Sequence, residues 1–184
     1  MATTEPGADV EVWDPLVRVL HWGLALCITV AWLTRHGGGR WHEWIGYASL
    51  ALIALRLVWG FTGPRYARYR QFVRAPSATV RYALQLCTGR EHRYVGHNPL
   101  GGWMVLALLA LAALAGSSGW LYTTDAWWGD ARVEAFHHIV SVALLVLVAL
   151  HVAGVVVTSF RHRENMVAAM FSGRKRPGAG DDVA

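Results

Sequence analysis

Histidine is the residue type in this chain best suited to do chemistry, and four of its nine histidines stand out by position. His151 lies inside the apolar run 139–160, where it is the one ionisable group in 22 residues. An ionisable side chain at membrane depth marks a functional site by default. His137 lies 14 residues before it. At about 100° per residue this is about 40° short of four full helical turns, so both imidazoles leave one face, about 21 Å apart along the axis. His138 is 13 residues from His151 and falls on the far side of the same helix. A neutral imidazole is a ready metal ligand. Two on one face, so far apart, suit two metal centres at different heights. The bland alternative is a solvated His137 and a buried, hydrogen-bonded His151. One helix alone leaves both readings open.

The elements that must position these residues are membrane spans. A chain of 184 residues with 54% hydrophobic and 16% charged residues is too apolar for a soluble domain of this size. Apolar runs predict spans over about 16–34, 45–63, 100–122 and 138–160, each long enough to cross a bilayer core of about 30 Å. Asp14-Pro15 and Asn98-Pro99 read as N-cap plus first-turn proline for the first and third spans. RHGGGR (35–40) reads as a tight turn. In the long loop 64–99, a short amphipathic helix over 78–87, capped by Ser77, is expected to lie on the membrane surface with Val80, Ala83, Leu84 and Cys87 on one side. The acidic N-terminus lacks the basic region of a signal peptide, so the first span is expected to be retained. The segment 161–184 is expected to be a basic cytoplasmic tail with a flexible Gly/Asp-rich end. The fold class is thus an all-α polytopic membrane four-helix bundle forming a single domain.

Charge orients it. Thirteen of the 17 Lys and Arg lie in the N-terminal segment, loop 64–99 and the C-terminal tail, against three in the loops at the opposite end. The positive-inside rule then puts both termini in the cytoplasm of a bacterial inner membrane. The net charge of +5 serves orientation, which argues against nucleic acid as a partner. Tryptophans 13, 59 and 103 on one side and 32, 41, 44, 120, 127 and 128 on the other read as interfacial belts. The histidines now sort by depth. His42 and His137 start the second and fourth spans on the periplasmic side. His21 and His151 lie toward the cytoplasmic side, His151 several ångströms nearer mid-bilayer. Each level offers imidazoles from two helices, as bis-histidine ligation of a haem iron requires.

Other residues carry weaker signals. Arg56 interrupts an apolar run and either snorkels to the interface or pairs with an acid inside, a haem propionate being one candidate. Gly46, one turn after His42, either admits a flat macrocycle or packs helices. The glycines and serines of span three suggest close helix packing, and Met104 reads as core. His92 and His97 read as solvated or headgroup-facing. The absence of C-x-x-C-H excludes covalent c-type haem, and Cys27 and Cys87 imply no disulfide. A surface metal site from His36, His42, His137 and His138 is the competing metal reading, poorly supplied for a closed tetrahedral centre.

With LHW (20–22), WHEWIGYASL (41–50), LRLVWGFTGP (55–64), RYVGHNPLGGWM (93–104) and EAFHHIVSVALLVLVALHVAG (134–154), the chain resembles the bacterial cytochrome b561 family and the related b-type cytochrome subunit of nickel–iron hydrogenases. The resemblance covers residues 12–175. It implies a four-helix bundle, two non-covalent haems b with His21, His42, His137 and His151 as axial ligands, and electron exchange with the quinone/quinol pool. A periplasmic cytochrome c, an oxidoreductase subunit such as a hydrogenase, or a small oxidant would be the redox partner, in a lipid-embedded monomer or homodimer. A non-catalytic haem-bearing anchor subunit and a haem-free membrane protein are the alternatives.

Overall fold

The structure, a computed structural model, describes residues 9–37, 39–178 and 182–183. Residues 1–8, most of the acidic N-terminus, lie outside the described residues, as do Gly38 of the predicted turn and residues 179–181 and 184 of the Gly/Asp-rich end. Among the described residues, four helices are long and apolar enough to span a membrane: α1 (Pro15–Leu33), α2 (Gly39–Thr62), α5 (Pro99–Tyr122) and α6 (Ala131–Arg161). Three short helices lie at the basic end: α3 (Tyr69–Phe72), α4 (Pro76–Thr88) and α7 (Met166–Ser172). The all-α membrane bundle expected from the sequence is the fold observed.

The caps explain the helix starts. Asp14 Oδ1 accepts hydrogen bonds from the Leu16 and Val17 amides at 3.1 and 3.2 Å, with Pro15 at the first helical position. Asn98 Oδ1 accepts from the Gly101 amide at 2.7 Å, ahead of Pro99. Each satisfies amides that a helix start leaves without partners. α6 begins seven residues before the predicted span because Asp130 caps it, accepting from the Arg132 and Val133 amides. At 31 residues it is about 46 Å long and must project beyond the apolar core.

Packing runs α1 on α2, α2 on α5 and α5 on α6. Ile53, Leu109, Ala112 and Leu144 form the buried centre, joined by Leu24, Ile28 and Val148. Small residues set the helix separations, as expected for span three. A Cβ on Gly116 would lie 2.8 Å from Leu50 side-chain atoms, and one on Gly102 only 2.5 Å from the Phe72 carbonyl oxygen.

The basic end departs from the sequence expectations. Ser77 is not a cap; Pro76 opens α4 from Ala75 without a side-chain hydrogen bond. Tyr82 is the α4 residue turned into the protein, while Val80 and Leu84 stay exposed, an apolar face for lipid. The basic part of the tail folds back against the N-terminal segment. β1 (Val10–Glu11) pairs antiparallel with β2 (Arg174–Lys175), and the Val12 and Trp13 amides donate to Gly173 O at 2.9 and 3.0 Å. Trp13 is consequently buried rather than part of an interfacial belt, and Trp59 Nε1 donates to Asp14 Oδ1. Trp41, Trp44, Trp120, Trp127 and Trp128 at the opposite end are exposed.

Candidate functional site

The bundle brings the four candidate histidines together in two pairs. His42 of α2 and His137 of α6 meet near the tryptophan-rich end, ring centroids 6.1 Å apart and planes at 83°. His21 of α1 and His151 of α6 meet toward the basic end, at 6.2 Å and 56°. The expected difference in depth between His21 and His151 does not keep their rings apart. His138 is exposed, on the far side of α6 from His151, as the helical period requires.

The outer pair is held by neighbouring helix ends. His42 Nδ1 lies 3.0 Å from Ala31 O, and His137 Nδ1 lies 3.0 Å from Ala115 O. A carbonyl oxygen only accepts, so each Nδ1 must carry its proton, and each Nε2 keeps its lone pair for a metal. A hydroxyl accompanies each carbonyl three residues on. Thr34 Oγ1 is 3.5 Å from His42 Nδ1, and Ser118 Oγ is 3.1 Å from His137 Nδ1. Gly119 makes the second approach feasible, since a Cβ there would lie 3.2 Å from His137 Cε1. Gly46 does not pack helices: a Cβ there would meet nothing within 4 Å.

Toward the basic end, several buried polar atoms have no partner among the described residues, including His21 Nδ1, Trp22 Nε1, Arg56 Nη1 and His97 Nδ1. Arg56 does not snorkel. It is buried, its Nη2 donates to Ala67 O at 3.2 Å, and its guanidinium carbon lies 5.1 Å from the Tyr69 ring centre. His97, expected at a headgroup, instead sits between Trp13 (4.6 Å) and Phe72 (4.5 Å). Burial, reinforced by the nearby Arg56 and Lys175 charges, pushes its pKa down to about 3, so it stays neutral at physiological pH. His92 is exposed as expected. Among the described residues, no three His, Cys, Asp or Glu side chains gather into a metal cluster.

A family model described as prokaryotic cytochrome b561 matches residues 12–173, nearly the whole chain. The chain belongs to the prokaryotic cytochrome b561 family. It is a membrane b-type cytochrome that works in electron transfer with haem b. It is also similar to proteins described as probable Ni/Fe-hydrogenase B-type cytochrome subunits. One from Rhizobium leguminosarum bv. viciae is 24% identical, covering 91% of this chain and 89% of the relative. One from Bradyrhizobium diazoefficiens is 25% identical, over 91% and 86%. One from Rhodobacter capsulatus is 24% identical, over 91% and 81%. No solved structure matches the chain.

The residues present fit haem. Imidazoles that would share one haem iron must come from different helices with ring centres about 6 Å apart. Both pairs lie at that spacing. Buried Arg56, with Nη1 unpartnered, suits a propionate carboxylate. Because His138 is exposed while His137 is the residue that meets His42, His138→Ala should leave the haem-to-protein ratio unchanged, as measured by the pyridine haemochrome assay. A halved ratio would make His138 the ligand in place of His137.

Proposed function

We propose that this cytochrome carries electrons across a bacterial inner membrane between the quinone/quinol pool and a redox partner on the periplasmic side, using two haems b. His42 and His137 would hold the outer one, His21 and His151 the inner one. The observation that supports this reading best is the convergence of imidazoles from three helices into two pairs at axial-ligand spacing. His137 and His151 are separated by about 21 Å of helix, so two centres divide a distance that one could not bridge. Haem b supplies a one-electron iron couple. The chain supplies axial nitrogens, a fixed tautomer at the outer pair, and an apolar shell that excludes water.

The excess of Lys and Arg at the end holding β1, α4 and α7 supports a cytoplasmic position for that end and for both termini. The names of the relatives make a hydrogenase-type enzyme the leading partner; a periplasmic cytochrome c is the next. They also favour a second reading, in which the chain is a haem-bearing anchor subunit without quinol chemistry of its own.

Reduced-minus-oxidised spectra of purified protein should show low-spin haem b, at two haems per chain. Colourless protein after haem-replete expression would overturn the reading. Protein purified alone should also be reduced by quinol, whereas an anchor subunit would stay oxidised without its partner. Arg56→Ala should lower the potential of the inner haem, because its positive charge disfavours the more positive ferric state. An unchanged redox titration would remove Arg56 from the propionate role.

A further inference from the structure

The two histidine pairs are built differently behind the ring. In the outer pair, both imidazoles have a main-chain carbonyl at 3.0 Å from Nδ1. The carbonyls come from equivalent places: Ala31 in the last turn of α1 and Ala115 near the end of α5, each on the helix preceding the one that bears the histidine. In each, the residue three further on is a hydroxyl, Thr34 or Ser118. Ser118 Oγ donates to Ala115 O at 3.0 Å, and Thr34 Oγ1 donates to Val30 O at 2.8 Å. With its proton committed to a carbonyl, each hydroxyl turns a lone pair toward the imidazole Nδ1–H. An Ala-x-x-Ser/Thr cradle thus occurs twice, once for each outer ligand. The inner pair differs: His21 Nδ1 is buried with no hydrogen-bond partner among the described residues, and Arg56 lies buried at the same end.

A hydrogen bond accepted from Nδ1–H draws the proton away from the ring and makes Nε2 a stronger donor. A stronger axial donor stabilises ferric over ferrous iron and lowers the reduction potential. A buried cation near the other pair acts in the opposite sense.

We infer that Thr34 and Ser118 are positioning residues which, with the Ala31 and Ala115 carbonyls, set the reduction potential of the His42–His137 haem below that of the His21–His151 haem. This rests on the two-haem reading above. An electron leaving ferrous iron at the outer pair and reducing ferric iron at the inner pair then moves downhill, from the tryptophan-rich end to the basic end.

The test is a potentiometric titration of purified, haem-loaded full-length protein. Wild type should show two midpoints, and the lower should be the one that survives alone in His151→Ala. Ser118→Ala combined with Thr34→Val should raise that lower midpoint and leave the upper one in place, and Ser118→Thr should restore the wild-type value. Gly119→Ala, whose Cβ would press on His137, provides a second variant and should shift the same midpoint upward. An unmoved lower midpoint in the double variant with full haem content would overturn the inference and leave the two-haem reading standing. So would a wild-type outer haem at the higher potential. Protein without haem bands would instead remove the reading beneath it.

Discussion

Replacing His151 by Ala should halve the haem content of the purified protein and leave a single low-spin species. The imidazole lies within the longest span, 6.2 Å from that of His21 and on the same helical face as His137. A methyl group in its place offers no axial nitrogen, and iron held by His21 alone loses the bis-histidine field. The outer pair is about 21 Å further along α6 and its supports come from α1 and α5, so its ligation should survive. A haemochrome ratio of one per chain with an intact low-spin spectrum is the expected result. Two haems retained would take His151 out of the ligand set; none retained would mean that the two sites assemble as one unit.

Glu164→Gln should unfasten the cap at the basic end. Glu164 is buried just past α6 and accepts from Arg93 Nη2 at 2.9 Å and from the Arg176 amide at 2.9 Å, with Lys175 Nζ at 3.7 Å. Arg93 also holds Asp182 at 2.6 Å. Removing the carboxylate leaves Arg93 and Lys175 buried with less opposing charge, a loss of about 3 kcal/mol for a broken buried pair. Amide exchange over residues 173–178 should therefore quicken by about 100-fold while the spanning helices are unaffected. Unchanged exchange would mean that the β1–β2 pairing and the Gly173 contacts hold the tail alone. The same carboxylate makes the cap sensitive to acid. Burial would raise its pKa, but the Arg93 and Arg176 hydrogen bonds and the Lys175 charge outweigh burial and hold it below the ordinary value. A depressed folded pKa means stability that is complete above the usual carboxylate range of about 4.3 and is lost as pH falls through the lower folded value.

The sequence by itself determined the membrane bundle, because uninterrupted apolar length is the one requirement a bilayer imposes on a helix and is read directly from composition. It also determined which face of α6 presents His137 and His151 to the neighbouring helices. The helical period converts a 14-residue spacing into a shared side and turns His138 away without reference to any neighbour. Asp14-Pro15 and Asn98-Pro99 were legible for a similar reason: a cap is satisfied within four residues of chain. Only the tertiary structure decided what depends on contacts distant in sequence. That Arg56 is buried under Ala67 and Tyr69, that His97 lies between Trp13 and Phe72, and that Ala115 O and Ser118 stand behind His137 all arise where separate helices and loops meet. The same holds for the tail. Its basic sequence names no partner, yet a strand pair and a buried glutamate draw it onto the bundle. A carbonyl oxygen has no letter of its own in the sequence. The groups that fix the outer histidines are main-chain atoms of alanines, and they become visible only once α1 and α5 are packed beside their neighbours.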